Sequence, residues 1–208
     1  MTAVTIVVPT IPSRHELLER ALDSIRAQTF TDYEVWVMPD GPDPSTSYDG
    51  EGQHSWGQVL PLGRRWQKWG AVQKLVAGYL CKTEFMAYVH DDDWWKPNHL
   101  ELLMAAINTP MSGRHEDFPP GADPIYPDFV YSKIDWCGGI IGTDPPACGQ
   151  IDTGCILHRT ELLRVSTWDP QGGYALDWEL VERWIAAGAR WTFVPEVTLV
   201  YPEKREGR

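Results

Sequence analysis

Three consecutive aspartates, Asp91, Asp92 and Asp93, follow the apolar segment Phe85-Met86-Ala87-Tyr88-Val89, which has the pattern of a buried strand. Adjacent carboxylates repel one another unless a cation lies between them. Mg²⁺ and Mn²⁺ prefer oxygen ligands and usually bind through one or two carboxylates together with substrate phosphates. Capping of a helix N-terminus is the structural alternative, but a cap requires only one Asp side chain. We therefore predict that this run binds Mg²⁺ or Mn²⁺.

Asp40 has a comparable position, because it follows the strand-like segment Glu34-Val35-Trp36-Val37-Met38. In open α/β sheets, ligands bind outside the carboxyl ends of the strands. An acidic side chain there can accept hydrogen bonds from a nucleobase or a ribose, and Thr10, at the end of the first strand, is a second candidate. Turn formation before Gly41 explains Asp40 equally well, so both interpretations stay open at this stage.

Asp177 and Glu179 lie at the start of an amphipathic helical segment. A spacing of two residues directs side chains to different faces of a helix, so the pair is not expected to share a proton. One carboxylate can face a cleft while the other is solvated. Ordinary capping by Asp177 is as compatible with the pattern as a catalytic role.

Basic residues are expected wherever a diphosphate binds, and Arg64, Arg65, Lys68 and Lys74 lie between Asp40 and the aspartate run. A solvated helix face has the same composition. Of these residues, we select Lys68 as the candidate diphosphate ligand.

The chain has 11 Trp. Indole rings stack well on the faces of sugars and bases, and they also fill hydrophobic cores. The candidates for ring stacking are Trp94, Trp95, Trp136 and Trp178.

Strands and helices alternate in the first half of the chain, which is typical of an open, mostly parallel sheet flanked by helices. A capping box at Ser13 and Glu16 is expected to start the first helix. Loop-forming residues fill 41–57, for which we predict a mobile loop, and 109–127. The predicted strands are 4–8, 34–38, 85–89, 129–136, 151–158, 191–194 and 197–200, and the later helices are 66–81, 98–107 and 176–187.

The chain has 208 residues, with 18 Lys and Arg against 29 Asp and Glu, giving a formal net charge of -11. This length favours one domain. The negative charge disfavours binding to nucleic acid or to an anionic membrane. No apolar window approaches the length of a transmembrane helix, and the four cysteines form no Cys-x-x-Cys motif, so a reducing cytoplasm is the simplest expectation.

The order of these segments resembles that of family-2 glycosyltransferases with the GT-A fold, and is most similar to the bacterial spore-coat polysaccharide type. The resemblance extends over about residues 4–201. The matching segments are 4–10, 20–30, 33–37, Asp40, the aspartate run with Trp95 and Pro97, 151–159 and 177–179.

This resemblance implies a single GT-A (Rossmann-like) domain, with a nucleotide-sugar half at about residues 1–96 and an acceptor half at about 97–208. Asp40 and Thr10 would lie in the base pocket. His90 replaces the first acidic residue of the family's Asp-x-Asp motif. Asp92, with Asp93 beside it, becomes the expected metal ligand, and Asp91 would contact the ribose or an ordered water. Asp177 matches the general base of inverting members.

The function predicted from these features is inverting, metal-dependent transfer of a sugar from a nucleoside-diphosphate donor, most plausibly UDP-linked, to a hydroxyl of a carbohydrate or other acceptor. A role in polysaccharide biosynthesis and a homo-oligomeric state are compatible with this prediction. A sugar-nucleotide nucleotidyltransferase is the first alternative, although the loop Pro9-Thr10-Ile11-Pro12-Ser13-Arg14 lacks the glycines that usually hold a triphosphate. A non-catalytic module that binds nucleotides or carbohydrates is the second.

Overall fold

The computed structural model describes residues 2–41, 53–54, 57–111, 123–173 and 175–202. Most of the loops predicted at 41–57 and 109–127 lie outside these residues. Ten strands are present in the described ranges: β1 (Val4–Thr10), β2 (Tyr33–Pro39), β3 (Gln53–His54), β4 (Gly57–Val59), β5 (Phe85–Tyr88), β6 (Trp94–Trp95), β7 (Phe129–Trp136), β8 (Gly139–Ile141), β9 (Ile156–Arg159) and β10 (Trp191–Tyr201).

The strands form one sheet in the order β3-β4-β2-β1-β5-β9-β7-β10-β6, with β8 paired to β7. The N-terminal part is parallel, as predicted, because β1 pairs in parallel with β2 and β5. The sheet as a whole is mixed rather than mostly parallel, since β9 runs antiparallel to both β5 and β7. The chain returns from β7 to β9 without a crossover helix, and such a return produces an antiparallel pair. Because β9 joins strands of both halves, the sheet is continuous.

In the part of the chain that the structure describes, four α-helices cover the sheet: α1 (His15–Arg26), α2 (Ala71–Leu80), α3 (His99–Ile107) and α4 (Leu176–Ala186). In α1 the apolar face formed by Leu18, Ala21, Leu22 and Ile25 is buried. The predicted capping box at Ser13 and Glu16 is wrong. A 3-10 turn over Pro12–Arg14 precedes the helix, Arg14 is the N-cap residue, and no side chain caps the first turn.

The boundaries of the predicted strands differ from those in the structure at two places, each for a local reason. The segment predicted as a strand over 151–158 begins with a 3-10 turn, Thr153–Cys155, and only then enters β9. The strands predicted at 191–194 and 197–200 are one strand, β10, whose register against β7 shifts on either side of Val197. Within the ranges that the structure describes, no helix has the length and hydrophobicity needed to cross a bilayer.

Candidate functional site

The carboxyl ends of β1, β2 and β5 meet at one edge of the sheet, because these strands run in parallel. This edge brings Thr10, Asp40 and the aspartate run together, as expected from the sequence. The Thr10 hydroxyl donates a hydrogen bond to Asp91 Oδ2 at 2.9 Å. All these side chains are buried, so their polar groups depend on partners within the protein.

Arg14 supplies the positive charge among the aspartates. Its Nη1 lies 3.0 Å from Asp91 Oδ1 and 3.1 Å from Asp92 Oδ2. Burial and the neighbouring Asp92 raise the pKa of Asp91, while Arg14 acts to lower it. Arg20 also donates to the backbone carbonyl of Asp92 at 3.0 Å. Arg14 was not predicted as a site residue, because its segment has the pattern of a simple helix start.

Asp40 holds the loop that follows β4. Its two carboxylate oxygens accept hydrogen bonds from the backbone N–H groups of Trp66 and Gln67, both at 2.7 Å. The chain then passes through four successive residues with positive φ, Gln67 (59°), Lys68 (136°), Trp69 (47°) and Gly70 (76°). Residues other than glycine rarely adopt positive φ angles, and such angles concentrate at functional sites. The helix predicted from residue 66 therefore begins only at Ala71.

These groups line a cavity of about 710 Å³, which we call the strand-edge cavity. Its volume lies in the usual range for small-molecule and cofactor sites. Among its lining residues are all four that the sequence indicated as nucleotide ligands, Thr10, Asp40, Lys68 and Asp91. Lys68 is exposed in the wall of this cavity.

A group suited to a metal ion lies at the inner end of the aspartate run. One ligand atom from each of His90, Asp93 and Asp152 lies within 4.8 Å of the other two. Imidazole nitrogen and carboxylate oxygen form a donor set that fits Mn²⁺. Burial raises the pKa of the Asp152 carboxyl, with His90 lowering it and Asp93 raising it. Asp92, the metal ligand expected from the resemblance, is outside this group and pairs with Arg14.

Asp152 reaches the site through the turn that interrupts the predicted strand 151–158. Its Oδ1 accepts a hydrogen bond from the Gly154 N–H at 2.8 Å, which is the local bond that starts the 3-10 turn. An Asp two residues before a Gly is a known turn signal. That signal is present in Asp152-Thr153-Gly154, but the apolar residues that follow it have the pattern of a strand.

Asp177 lines a second cavity of about 400 Å³, which we call the Asp177 cavity. It lies in the first turn of α4, and its Oδ1 accepts the backbone N–H of Trp178 at 2.9 Å. Burial, followed by the charge of Asp152, raises the pKa of Asp177 to about 6. Glu179 instead accepts from the N–H of Gly173 at 3.0 Å. The two carboxylates thus have separate environments, as their spacing predicted.

Lys74 is a buried cation beneath these acidic groups. Its Nζ lies 3.3 Å from both Thr153 Oγ1 and His90 Nε2, and 4.2 Å from the centroid of the Trp168 ring. Burial lowers the pKa of Lys74 to about 8, against the charges of Asp177, Asp152 and Asp93, which raise it. Lys74 stood among the basic candidates in the sequence, but only the fold distinguishes its position from a solvated helix face.

The strand-edge cavity and the Asp177 cavity share two residues, His90 and Trp69. A ligand in the first cavity and a ligand in the second would therefore meet beside His90. This arrangement has room for two ligands side by side.

Comparison with known proteins agrees with that geometry. The family model described as "Glycosyl transferase family 2" matches residues 5–113, which is more than half of the chain. The chain belongs to glycosyl transferase family 2. The chain has no match among curated proteins.

Solved structures of glycosyltransferases share the fold. TarS of S. aureus (residues 1–349) superposes with a TM-score of 0.71 and 17% identity over 96% of this chain and 60% of its own. A complex of the same protein with UDP-GlcNAc matches with a TM-score of 0.71 and 17% identity over 99% of this chain and 60% of its own. The mannosyltransferase PcManGT of Pyrobaculum calidifontis, bound to GDP-Man and Mn²⁺, has a TM-score of 0.69 and 19% identity over 98% and 58%. This chain thus spans about 60% of the length of TarS 1–349 and 36% of the longer TarS chain.

Proposed function

We propose that this glycosyltransferase moves a sugar, with inversion, from a nucleoside-diphosphate donor to an acceptor hydroxyl. The observation that carries the proposal is the meeting of the two cavities beside His90 and Trp69. The strand-edge cavity would hold the donor, and the Asp177 cavity would hold the acceptor. Approach of the acceptor from one cavity and departure of the nucleotide into the other would put the forming and the breaking bond on opposite faces of the anomeric carbon.

Asp177 would act as the general base. The carboxylate takes the proton of the acceptor hydroxyl while that oxygen forms a bond to the anomeric carbon. The bond between the anomeric carbon and the donor phosphate breaks, and its electron pair leaves with the nucleoside diphosphate. A pKa of about 6 suits this task, because the group is ionised at neutral pH and is still basic enough to accept a proton.

The proposed metal site consists of His90, Asp93 and Asp152, with Asp92 available from the adjoining position. A divalent ion there would offset the negative charge of the departing diphosphate. On the donor side, Arg14 would bring a guanidinium close to the same phosphates, and Thr10 holds Asp91 in place through its hydroxyl. Lys68 and Asp91 complete the proposed donor contacts from the cavity wall.

We propose that the donor is a uridine nucleotide, whose base is uracil. Asp40 lies in the strand-edge cavity, and its carboxylate fixes the loop beneath the proposed base position through two backbone hydrogen bonds. TarS has been solved with UDP and with UDP-GlcNAc, whereas PcManGT holds GDP-Man. The fold therefore accepts both bases, so the choice requires direct measurement.

The remaining sequence predictions are also proposals. They are a single domain divided near residue 96, membership in the spore-coat polysaccharide type, cytoplasmic polysaccharide synthesis and a homo-oligomeric state. The continuous sheet supports the first.

The experiment is a donor screen with and without Mn²⁺. We expect slow release of free sugar and UDP from a UDP-sugar, with loss of release in EDTA and little turnover of GDP-sugars. Binding of a nucleotide sugar without any release would indicate a binding module. Formation of a nucleotide sugar and pyrophosphate from UTP and a sugar 1-phosphate would indicate a nucleotidyltransferase. Either of these results contradicts the proposal.

A further inference from the structure

The Asp177 cavity has aromatic walls around a small polar centre. Trp69, Trp136, Trp178 and Tyr201 line it together with Asp177 and Asp152. Its volume of about 400 Å³ lies at the lower end of the range for small-molecule sites. The composition of these walls bears on the acceptor, which the proposed function leaves undefined.

Trp136 is placed by the pairing of two parallel strands. It ends β7 and lies opposite Tyr201, the last residue of β10. The two rings stack with centroids 3.9 Å apart and planes at 18°. An aromatic pair across two strands also stabilises a sheet, which accounts for Tyr201, only 7% exposed. It does not account for Trp136, which is 39% exposed and lines the cavity.

The charges in this cavity disfavour an anionic ligand. Asp177, which is not among the proposed metal ligands, faces it, and the chain carries a net charge of -11. Lys74, which also lines the cavity, is buried and directs its Nζ to Thr153, His90 and the Trp168 ring. A hydroxyl donor is complementary to the Asp177 carboxylate, whereas a phosphate on the acceptor would meet a like charge there.

We propose that the acceptor is a neutral saccharide whose ring packs on the exposed part of Trp136. This inference depends on the proposed function, because it names the substrate of that same site. A sugar ring has an apolar C–H face, which fits an indole, and an edge of hydroxyls, one of which can reach Asp177. A flat aromatic wall beside a carboxylate matches both features of one molecule.

The test measures acceptor binding directly, without requiring turnover. Saturation-transfer NMR on the protein loaded with UDP and Mn²⁺ would compare methyl glycosides of neutral hexoses with their 6-phosphates. We expect the neutral glycosides to bind and the phosphates to bind at least about tenfold more weakly. Tighter binding of the phosphates, or binding of neither group, would overturn the inference.

Variants identify the wall that binds the ring. Trp136→Ala should weaken glycoside binding by about five- to tenfold, and Trp136→Phe should retain most of it, as expected for loss of one aromatic contact. Tyr79→Ala, which removes an aromatic ring exposed outside both cavities, serves as the matched control. Donor hydrolysis and UDP affinity should not change in Tyr79→Ala, and UDP affinity, which depends on the other cavity, serves as the folding control for the two Trp136 variants.

These outcomes separate the two proposals. Unchanged glycoside binding in Trp136→Ala, with the fold confirmed by intact UDP affinity, contradicts the saccharide inference alone. Absence of donor hydrolysis in the wild type contradicts the proposed function, and glycoside binding that is lost in Trp136→Ala would then indicate a saccharide site without an acceptor role.

Discussion

The strand-edge cavity and the Asp177 cavity share a wall but are built in different ways. Around the first, the acidic side chains already have partners, as with Asp91 on Thr10 and Arg14 and Asp40 on two backbone amides. Around the second, Asp152 and Asp177 each accept one local backbone N–H, and burial raises the pKa of both carboxyls. Burial also raises the pKa of Asp91 in the first cavity, but the cation Arg14 and the Thr10 hydroxyl act against that rise. Groups held at fixed positions suit binding of a constant nucleotide, whereas a carboxylate with raised proton affinity suits a proton transfer.

The largest expected effect comes from removing the base from the Asp177 cavity. Asp177→Asn should lower the turnover of sugar transfer by about 10²-fold or more, in the range for a lost acid–base group, and should leave UDP affinity unchanged. Transfer kinetics and UDP titration measure the two effects. Glu179→Gln, an acid-to-amide change two residues away, should leave both unchanged.

The same variant tests whether the carboxylate is costly to the fold. The pKa of Asp177 is about 6 in the folded state and 3.8 for an ordinary Asp, so at pH 7 its ionised form favours the unfolded state. The thermal midpoint of Asp177→Asn in EDTA should therefore be maintained or raised. A clear fall would show that Asp177 has a structural role instead.

The next effect lies on the boundary between the cavities. Asp152→Asn should weaken Mn²⁺ binding at least about tenfold, since even partners of metal ligands have effects of that size. Asp92→Asn should have a smaller effect, because Asp92 pairs with Arg14. Titration of Mn²⁺ in the presence of UDP measures both. The reverse order would place the metal on Asp92 and Asp93, the ligands expected from the resemblance.

A smaller effect is expected on the strand-edge side. Asp40→Asn replaces one acceptor oxygen with an N–H donor that faces a backbone N–H, so the loop at 66–70 loses a charge-assisted bond. We expect UDP to bind about tenfold more weakly, the usual consequence of one lost bond of this kind, with methyl glycoside binding unchanged. A fall in turnover at constant UDP affinity would contradict the division between the cavities.

The smallest effect is the dependence of the rate on pH. Because Asp177 must be ionised to accept a proton and its pKa is about 6, kcat/KM should be constant above that pH and should fall about tenfold per unit below it. The residual activity of Asp177→Asn should lack this acid limb. An acid limb of the same midpoint in the variant would assign it to another group.

The two cavities also differ in how far the sequence predicted them. Strand ends fix Thr10, Asp40 and Asp91, so hydrophobic runs followed by polar residues were sufficient to find them. Asp152 depends on a turn that interrupts a strand-like pattern. Arg14 and Lys74 are positioned by side-chain contacts with residues 77 and 16 positions away in the sequence. Such partners are set by tertiary packing, which local periodicity does not encode.

The sequence likewise predicted one part of the fold better than the other. The β1–α1–β2 unit and β5 follow from alternating apolar periods, whereas the antiparallel insertion of β9 follows from the absence of a crossover helix. The aromatic pair Trp136–Tyr201 likewise depends on the register of β7 and β10, which lies beyond any sequence spacing.

The central claim is that a single nucleophilic displacement takes place where the two cavities meet. The acceptor enters from the side of Asp177, and the nucleotide leaves into the strand-edge cavity. The most direct test is ¹H NMR of the anomeric proton in the first product formed from an α-linked UDP-sugar. The account predicts a β-linked product. An α-linked product would contradict it, because retention requires both bonds to lie on the same face of the sugar.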